Sequence, residues 1–190
     1  MYIENICYSG GAVGADTLFT ECAEKVNHNF INYIFEKHHS KCKNLHTLKH
    51  EELILADDDL IKANKTIKRR FPTSNPFVNS LLRRNWWQIK ETERVYAVAK
   101  IGYDGIVKGG TSWAVQLAID KCLPEIYIYD FDNTGERIGQ NCWKTWDAFE
   151  GWKQIDFDKI PKPFGKYTGI GSRELTDDAI EQIKLLYGIK

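Results

Sequence analysis

Three short stretches carry residue types suited to holding an anion: SGGAVGAD at residues 9–16, KGGTSWA at 108–114 and TGIGSRE at 168–174. Each stands just before a segment of helical periodicity. A helix start offers unpaired backbone N–H groups and a partial positive charge. Glycine lets the backbone approach a phosphate closely, so such loops make anion sites. The candidate phosphate- or ligand-binding residues are Ser9, Gly10, Gly11, Ala12, Gly14 and Asp16 in the first loop. The second contributes Gly109, Gly110, Thr111 and Ser112, and the third Gly169, Gly171, Ser172 and Arg173. Arg173 suits a bidentate phosphate clamp, with a surface ion pair as the other reading. Asp16 either meets a ribose hydroxyl or caps the helix. Arg84, Asn85, Trp86 and Trp113 are candidates for base or phosphate contacts, since an indole stacks on a base and a guanidinium meets a phosphate. For the tryptophans the alternative is burial in the core or an interface. The Walker pattern and the dinucleotide fingerprint are both absent.

The elements that must position these loops follow from periodicity. YIENICY reads as a strand, and Ala15, Leu18, Phe19, Cys22, Ala23 and Val26 recur at helical spacing after it. FINYIF reads as a strand and EKHHSKCKNLHTLKH as a polar, basic loop. EELILADDDLIKANKTIKRR is helical and then basic, FPTSNPF breaks it, and VNSLLRRNWWQIK is a helix. RVYAVAKI, GYDGIVKGG and TSWAVQLAIDKC repeat the order strand, glycine loop, helix, with Ala114, Leu117, Ala118 and Cys122 as the apolar side. LPEIYIYDF is the next strand. Residues 131–165 show no period; NCWKTWDAFEGW within them is aromatic and caps the sheet or an interface. KYTGIGSRELTDDAIEQIKLLYGIK is a third such unit, with Asp177 and Asp178 in the first helical turn, where the dipole favours negative charge. Strands alternating with helices point to an α/β fold: a Rossmann-like open parallel sheet flanked by helices. One domain over residues 1–190 is expected.

Composition narrows the function classes. Hydrophobic residues make up 43% of 190, enough for a core. The 26 basic residues balance 26 acidic ones, so a global electrostatic grip on nucleic acid is not indicated. No apolar run approaches a membrane span, and no signal peptide is evident at the N-terminus. Five scattered cysteines without a CxxC pair suit free thiols in a reducing cytoplasm. His38, His39, His46 and His50 cluster around Cys42 without a tight ligand pattern. No metal site and no resident cofactor are expected.

SGGAVGAD with its helix, followed by GGTSWAVQLAIDKCLPEIYIYD, resembles the SMF/DprA–LOG (SLOG) superfamily of Rossmann-like nucleotide-binding domains. In typical members the GSR unit comes first; here YTGIGSRELTDDAIEQIKLL comes last. The chain therefore resembles a circularly permuted SLOG protein related to YpsA, and LLRRNWWQI resembles a segment of DprA-like relatives. The matched blocks cover roughly half the chain; residues 27–80 and 131–165 have no match. The resemblance implies a cytoplasmic domain that binds a nucleotide-derived small molecule, ADP-ribose-like or a cyclic nucleotide signal. It would act as a receptor or a sequestering sponge in phage–bacterium conflict, and as a homo-oligomer. It also implies two alternatives. One is a LOG-like nucleotide N-glycosidase or hydrolase; here the glutamate of the family motif has no match near Ala114, leaving Asp16, Asp104 and Glu174 as candidate acid–base groups. The other is a DprA-like binder of single-stranded DNA, with KANKTIKRR and RRNWW supplying basic and aromatic groups.

Overall fold

The computed structural model of the chain describes residues 4–131 and 142–190. Residues 1–3 of the β-rich opening and residues 132–141 lie outside the described residues. The first unit runs β1 (Ile6–Ser9), α1 (Ala15–Lys25) and β2 (Asn29–Phe35). A short strand β3 (Leu45–Leu48) follows, inside the stretch expected to be a loop. Then come α2 (His50–Leu53), a 3₁₀ turn at Ile54–Ala56, α3 (Asp57–Ile67) and α4 (Pro76–Lys90). The second unit is β4 (Arg94–Val98), α5 (Thr111–Asp120) and β5 (Glu125–Asp130). The aromatic stretch without a period forms β6 (Cys142–Asp147) and β7 (Gly151–Gln154), and the chain closes with β8 (Lys166–Gly171) and α6 (Asp177–Leu186).

Among the described residues, eight strands share one sheet in the order β3-β2-β1-β8-β4-β5-β6-β7. The first six in that order are parallel, while β6 and β7 add an antiparallel hairpin at one edge. The architecture is Rossmann-like, as expected, extended by that hairpin. Its tryptophans follow the period of two: Trp143 is buried on the α1 and α6 face, whereas Trp146 and its register partner Trp152 pack edge to face on the other, at the rim.

Alternation along the central strands divides the core. Val95, Ala97, Ile126 and Ile128 face α3, α4 and α5. Tyr96, Tyr127, Tyr129 and Tyr167 face α1 and α6. A sheet buried on both faces needs apolar residues at every position, which is why EIYIYD reads as a continuous run. Helix α5 is buried from Thr111 to Ala118 because α3 and α4 cover the side turned from the sheet. The stripe drawn from Ala114 to Cys122 is therefore too narrow, and Cys122 itself is exposed just past the helix end. No helix among the described residues is long and apolar enough to cross a membrane.

Helices α1 and α6, which follow β1 and β8, cover one face, and α5, which follows β4, covers the other. The crossovers thus diverge between β8 and β4. A crevice opens there at the carboxyl ends of the strands, where ligands bind in open α/β sheets. Gly169 lies beneath it, where an added Cβ would stand 2.4 Å from Phe19 Cβ and Cγ. We expect Gly169→Ala to lower stability by about 1–3 kcal/mol through overpacking. Combined with Phe19→Ala, it should cost less than the sum of the two single changes in urea unfolding.

Candidate functional site

Residues from all three glycine loops reach this crevice, a cleft of about 610 Å³. The first loop contributes Ala12 and Asp16, the second Gly109, Gly110 and Thr111, and the third Gly171, Ser172, Arg173 and Glu174. Arg84, Asn85 and Trp113 also line it. One wall is apolar, built from Val78, Leu81, Leu82 and Ile170.

Other expected site residues lie elsewhere. Ser9 is fully buried, and its hydroxyl donates to the Gly169 carbonyl at 2.7 Å and the Asp16 carbonyl at 3.2 Å. Gly10 is small for the sake of α4: a Cβ there would stand 2.1 Å from Gln88 Nε2 and 2.6 Å from the Arg84 guanidinium. Gly11 and Gly14 face a second cavity on the outer side of α1. Gly14 has φ 97°, and a Cβ would lie 2.3 Å from the Arg173 carbonyl oxygen, so glycine lets the third loop lie directly on the first. Ser112 turns its hydroxyl back onto the Gly109 carbonyl at 2.9 Å. Trp86 points away from the cleft and donates to Asp59 at 2.6 Å. Trp113 borders the cleft but is 3% exposed, edge-on to Phe71; it is a core residue first, with too little face showing to stack on a base. Asp104 is exposed outside the cleft and bound to Lys108. His46 packs edge-on against Tyr33 on β3, while His38 stacks on Phe35.

Asp16 is the most constrained group. It is 3% exposed. Its Oδ1 accepts from the Gly171 amide at 3.3 Å, and the amides of Ala12 and Gly10 also stabilise it. Arg84 Nη2 stands 3.9 Å from its Oδ2. Burial pushes the Asp16 carboxyl above the ordinary carboxylate range, with Arg84 and the three amides acting the other way. Asp16 thus ties two glycine loops together, a role neither of its two sequence readings described. The Gly171 amide of the third loop, which would otherwise be open to a ligand anion, meets this carboxylate instead. The first amide of α1 is also taken, since Ala15 N donates to the Ser172 carbonyl at 3.0 Å.

The second loop is different. Gly110 is the N-cap of α5 without a side-chain cap. The amides of Gly110, Thr111 and Ser112 find no acceptor among the described residues. Asn85 Nδ2 donates to the Gly110 carbonyl at 3.2 Å and Arg69 Nη1 to the Gly109 carbonyl at 2.7 Å, which fixes the loop with its amides free.

Arg84 is 6% exposed. It donates from Nη1 to the Gly10 carbonyl at 2.7 Å and stands 3.4 Å from His38 Nε2, while its Nε has no partner. Burial, the Arg84 and Arg173 charges and His39 hold His38 down to about 4, so it stays a neutral acceptor near pH 7. Arg69 and Arg70 also line the cleft. Sequence reading noted both only as part of a basic run, and their signal was a pair of arginines immediately before a proline-bounded break.

No protein-family model matches the chain, and no curated protein matches it in sequence. Among solved structures it is similar to a proposed molybdenum carrier protein from Syntrophus aciditrophicus, with a TM-score of 0.51 and 14% identity. The match covers 97% of this chain and 92% of that one. At that identity the likeness shows a shared fold.

Replacing Arg84 by Met should cost about 3–5 kcal/mol, because it strands a buried carboxylate; adding Asp16→Asn should recover part of the loss in denaturant unfolding. An unfolded histidine takes up a proton near pH 6.5, whereas folded His38 resists until about 4. The stability His38 contributes is therefore complete above pH 6.5 and is lost as pH falls from there to 4. The His38 ring resonance should stay neutral at pH 5 by NMR, and His38→Gln should flatten the pH dependence of unfolding between 6.5 and 4.

Proposed function

We propose that the chain is a SLOG-like domain that binds a nucleotide-derived small molecule in the cleft between β8 and β4. One observation carries this reading: free amides of Gly110 and Thr111 at the start of α5 stand in a cleft lined by Arg69, Arg70, Arg84 and Arg173. Free amides at a helix start favour an anion, and the apolar wall suits a nucleoside body. Candidate phosphate contacts are Gly109, Gly110, Thr111, Ser112 and Arg173, with Arg84 and Asn85 beneath them.

The permuted SLOG order is supported by topology. Strand β8 pairs with both β1 and β4, and Tyr187, just past α6, packs in one core cluster with Cys7 of β1. A chain running from α6 directly into β1 would give the family's usual order. We further propose that the domain acts as a receptor or a sponge for its ligand and assembles as a homo-oligomer.

A hydrolytic reading rests on Glu174, the one exposed carboxylate lining the cleft among the described residues. Incubation with nucleotides followed by chromatography decides it, with unchanged substrate in every case counting against turnover. The neighbour's name suggests a molybdenum species as another occupant of such a cleft. For the leading reading, ADP-ribose or a cyclic nucleotide at about 100-fold excess over its dissociation constant should stabilise the fold by about 2.7 kcal/mol, or about 5–10 °C in Tm. No shift with any nucleotide, together with no small molecule found by mass spectrometry of the purified protein, overturns it.

A further inference from the structure

The connector between α3 and α4 is built more firmly than a surface turn requires. Asn79, 8% exposed, accepts at Oδ1 from the Thr73 amide and the Thr73 hydroxyl, both at 2.8 Å. Its Nδ2 donates back to the Thr73 carbonyl at 3.0 Å. Asn75 caps α4 through the amides of Phe77 and Val78. Phe71 is buried edge-on against Trp113, and Arg83, held bidentately by Asp57 at 2.6 and 2.8 Å, lies over its ring. These contacts anchor the chain immediately after Arg69 and Arg70.

Arg69 is bonded to the Gly109 carbonyl and so stands beside the free amides of α5. Arg70 lines the same cleft, and neither it nor Arg173 has an ion-pair or hydrogen-bond partner among the described residues. Deeper in, Arg84 carries the unpartnered buried Nε. The cleft thus holds four guanidinium groups against two carboxyl groups, Asp16 and Glu174. That is a surplus of at least two positive charges in a chain whose formal net charge is zero. Local charge of one sign in a low-dielectric cleft selects for opposite charge.

We infer that Arg69 and Arg70, delivered by this pinned connector, make the cleft selective for a compact oxyanion group carrying two or more negative charges. This rests on the reading of the cleft as the ligand site and adds what the ligand must carry. A diphosphate or a terminal phosphomonoester fits, and so does a free inorganic oxyanion; a neutral nucleoside does not. Arg69 acts as a positioning residue for the α5 amides, and Arg70 contacts the oxyanion.

Isothermal titration with pyrophosphate, orthophosphate, molybdate, adenosine and ADP-ribose tests this. The wild type should bind pyrophosphate and ADP-ribose and leave adenosine unbound. Arg70→Ala should weaken pyrophosphate binding by about 10- to 100-fold, the range for losing a charge-assisted hydrogen bond. Arg70→Lys should recover part of that loss. Lys65→Ala removes an exposed charge from α3 outside the cleft and should leave affinity within about twofold. Arg70 is exposed, so its replacement leaves the melting temperature in place. Molybdate binding tighter than pyrophosphate, with the same dependence on Arg70, supports the selectivity and assigns the ligand to the inorganic class. Equal weakening by Arg70→Ala and Lys65→Ala overturns the inference, as does adenosine binding as well as ADP-ribose. In the latter case the cleft remains a ligand site. Binding of none of the five overturns both readings.

Discussion

Burying Asp16 under the crossing of two glycine loops obliges the surrounding chain to satisfy its carboxyl group. Much of the local geometry answers that demand. The Gly171 amide turns inward to donate to it, and Arg84 approaches from α4. Because Arg84 also holds the Gly10 carbonyl and stands beside His38, four chain segments are fixed relative to one acidic group. A buried charge left without partners costs several kcal/mol, so these segments have little freedom to separate.

The same constraint divides labour among the loops. In the first and third loops the Ala15 amide is taken by the Ser172 carbonyl and the Gly171 amide by Asp16. The second keeps its amides open and instead anchors its carbonyls, through Asn85 and Arg69. Preorganised donors of this kind need no rearrangement when an anion arrives. The cleft is therefore polar at one end and apolar along the α4 wall.

Much of the fold was legible because period and punctuation agreed. ICYS, RVYAV and EIYIYD read as buried strands, and the glycine loops marked the turns into α1 and α5 and preceded α6. The strand LHTL was hidden because it is a four-residue edge strand with three exposed positions, too short to show alternation. WKTWD and GWKQ were hidden because an edge hairpin with half-buried positions has no clean face. At the site, glycine-rich spacing pointed to loops that border the cleft but not to what each glycine makes room for. Gly10 and Gly169 look like phosphate loops in sequence, yet their missing side chains make room for Arg84 and Phe19. Trp86 and Trp113 are adjacent to cleft residues along the chain, but helical rotation sends Trp86 outward and packing buries Trp113. Arg69 joins the site through its bond to the Gly109 carbonyl forty residues on, a tertiary contact that no local pattern announces.

The position of β8 bears on how the molecule assembles. It is the last strand in chain order and sits between β1 and β4 in the middle of the sheet. On a ribosome, the segments that will flank it emerge first, each with a row of unsatisfied pairing groups along one side. Such rims attract other chains. Joining the two halves means closing contacts between residues as far apart as Cys7 and Tyr167, a slow class of event for a polypeptide. The sheet acquires continuity only when its keystone arrives, and the α1 cap supplied by Ser172 comes with it.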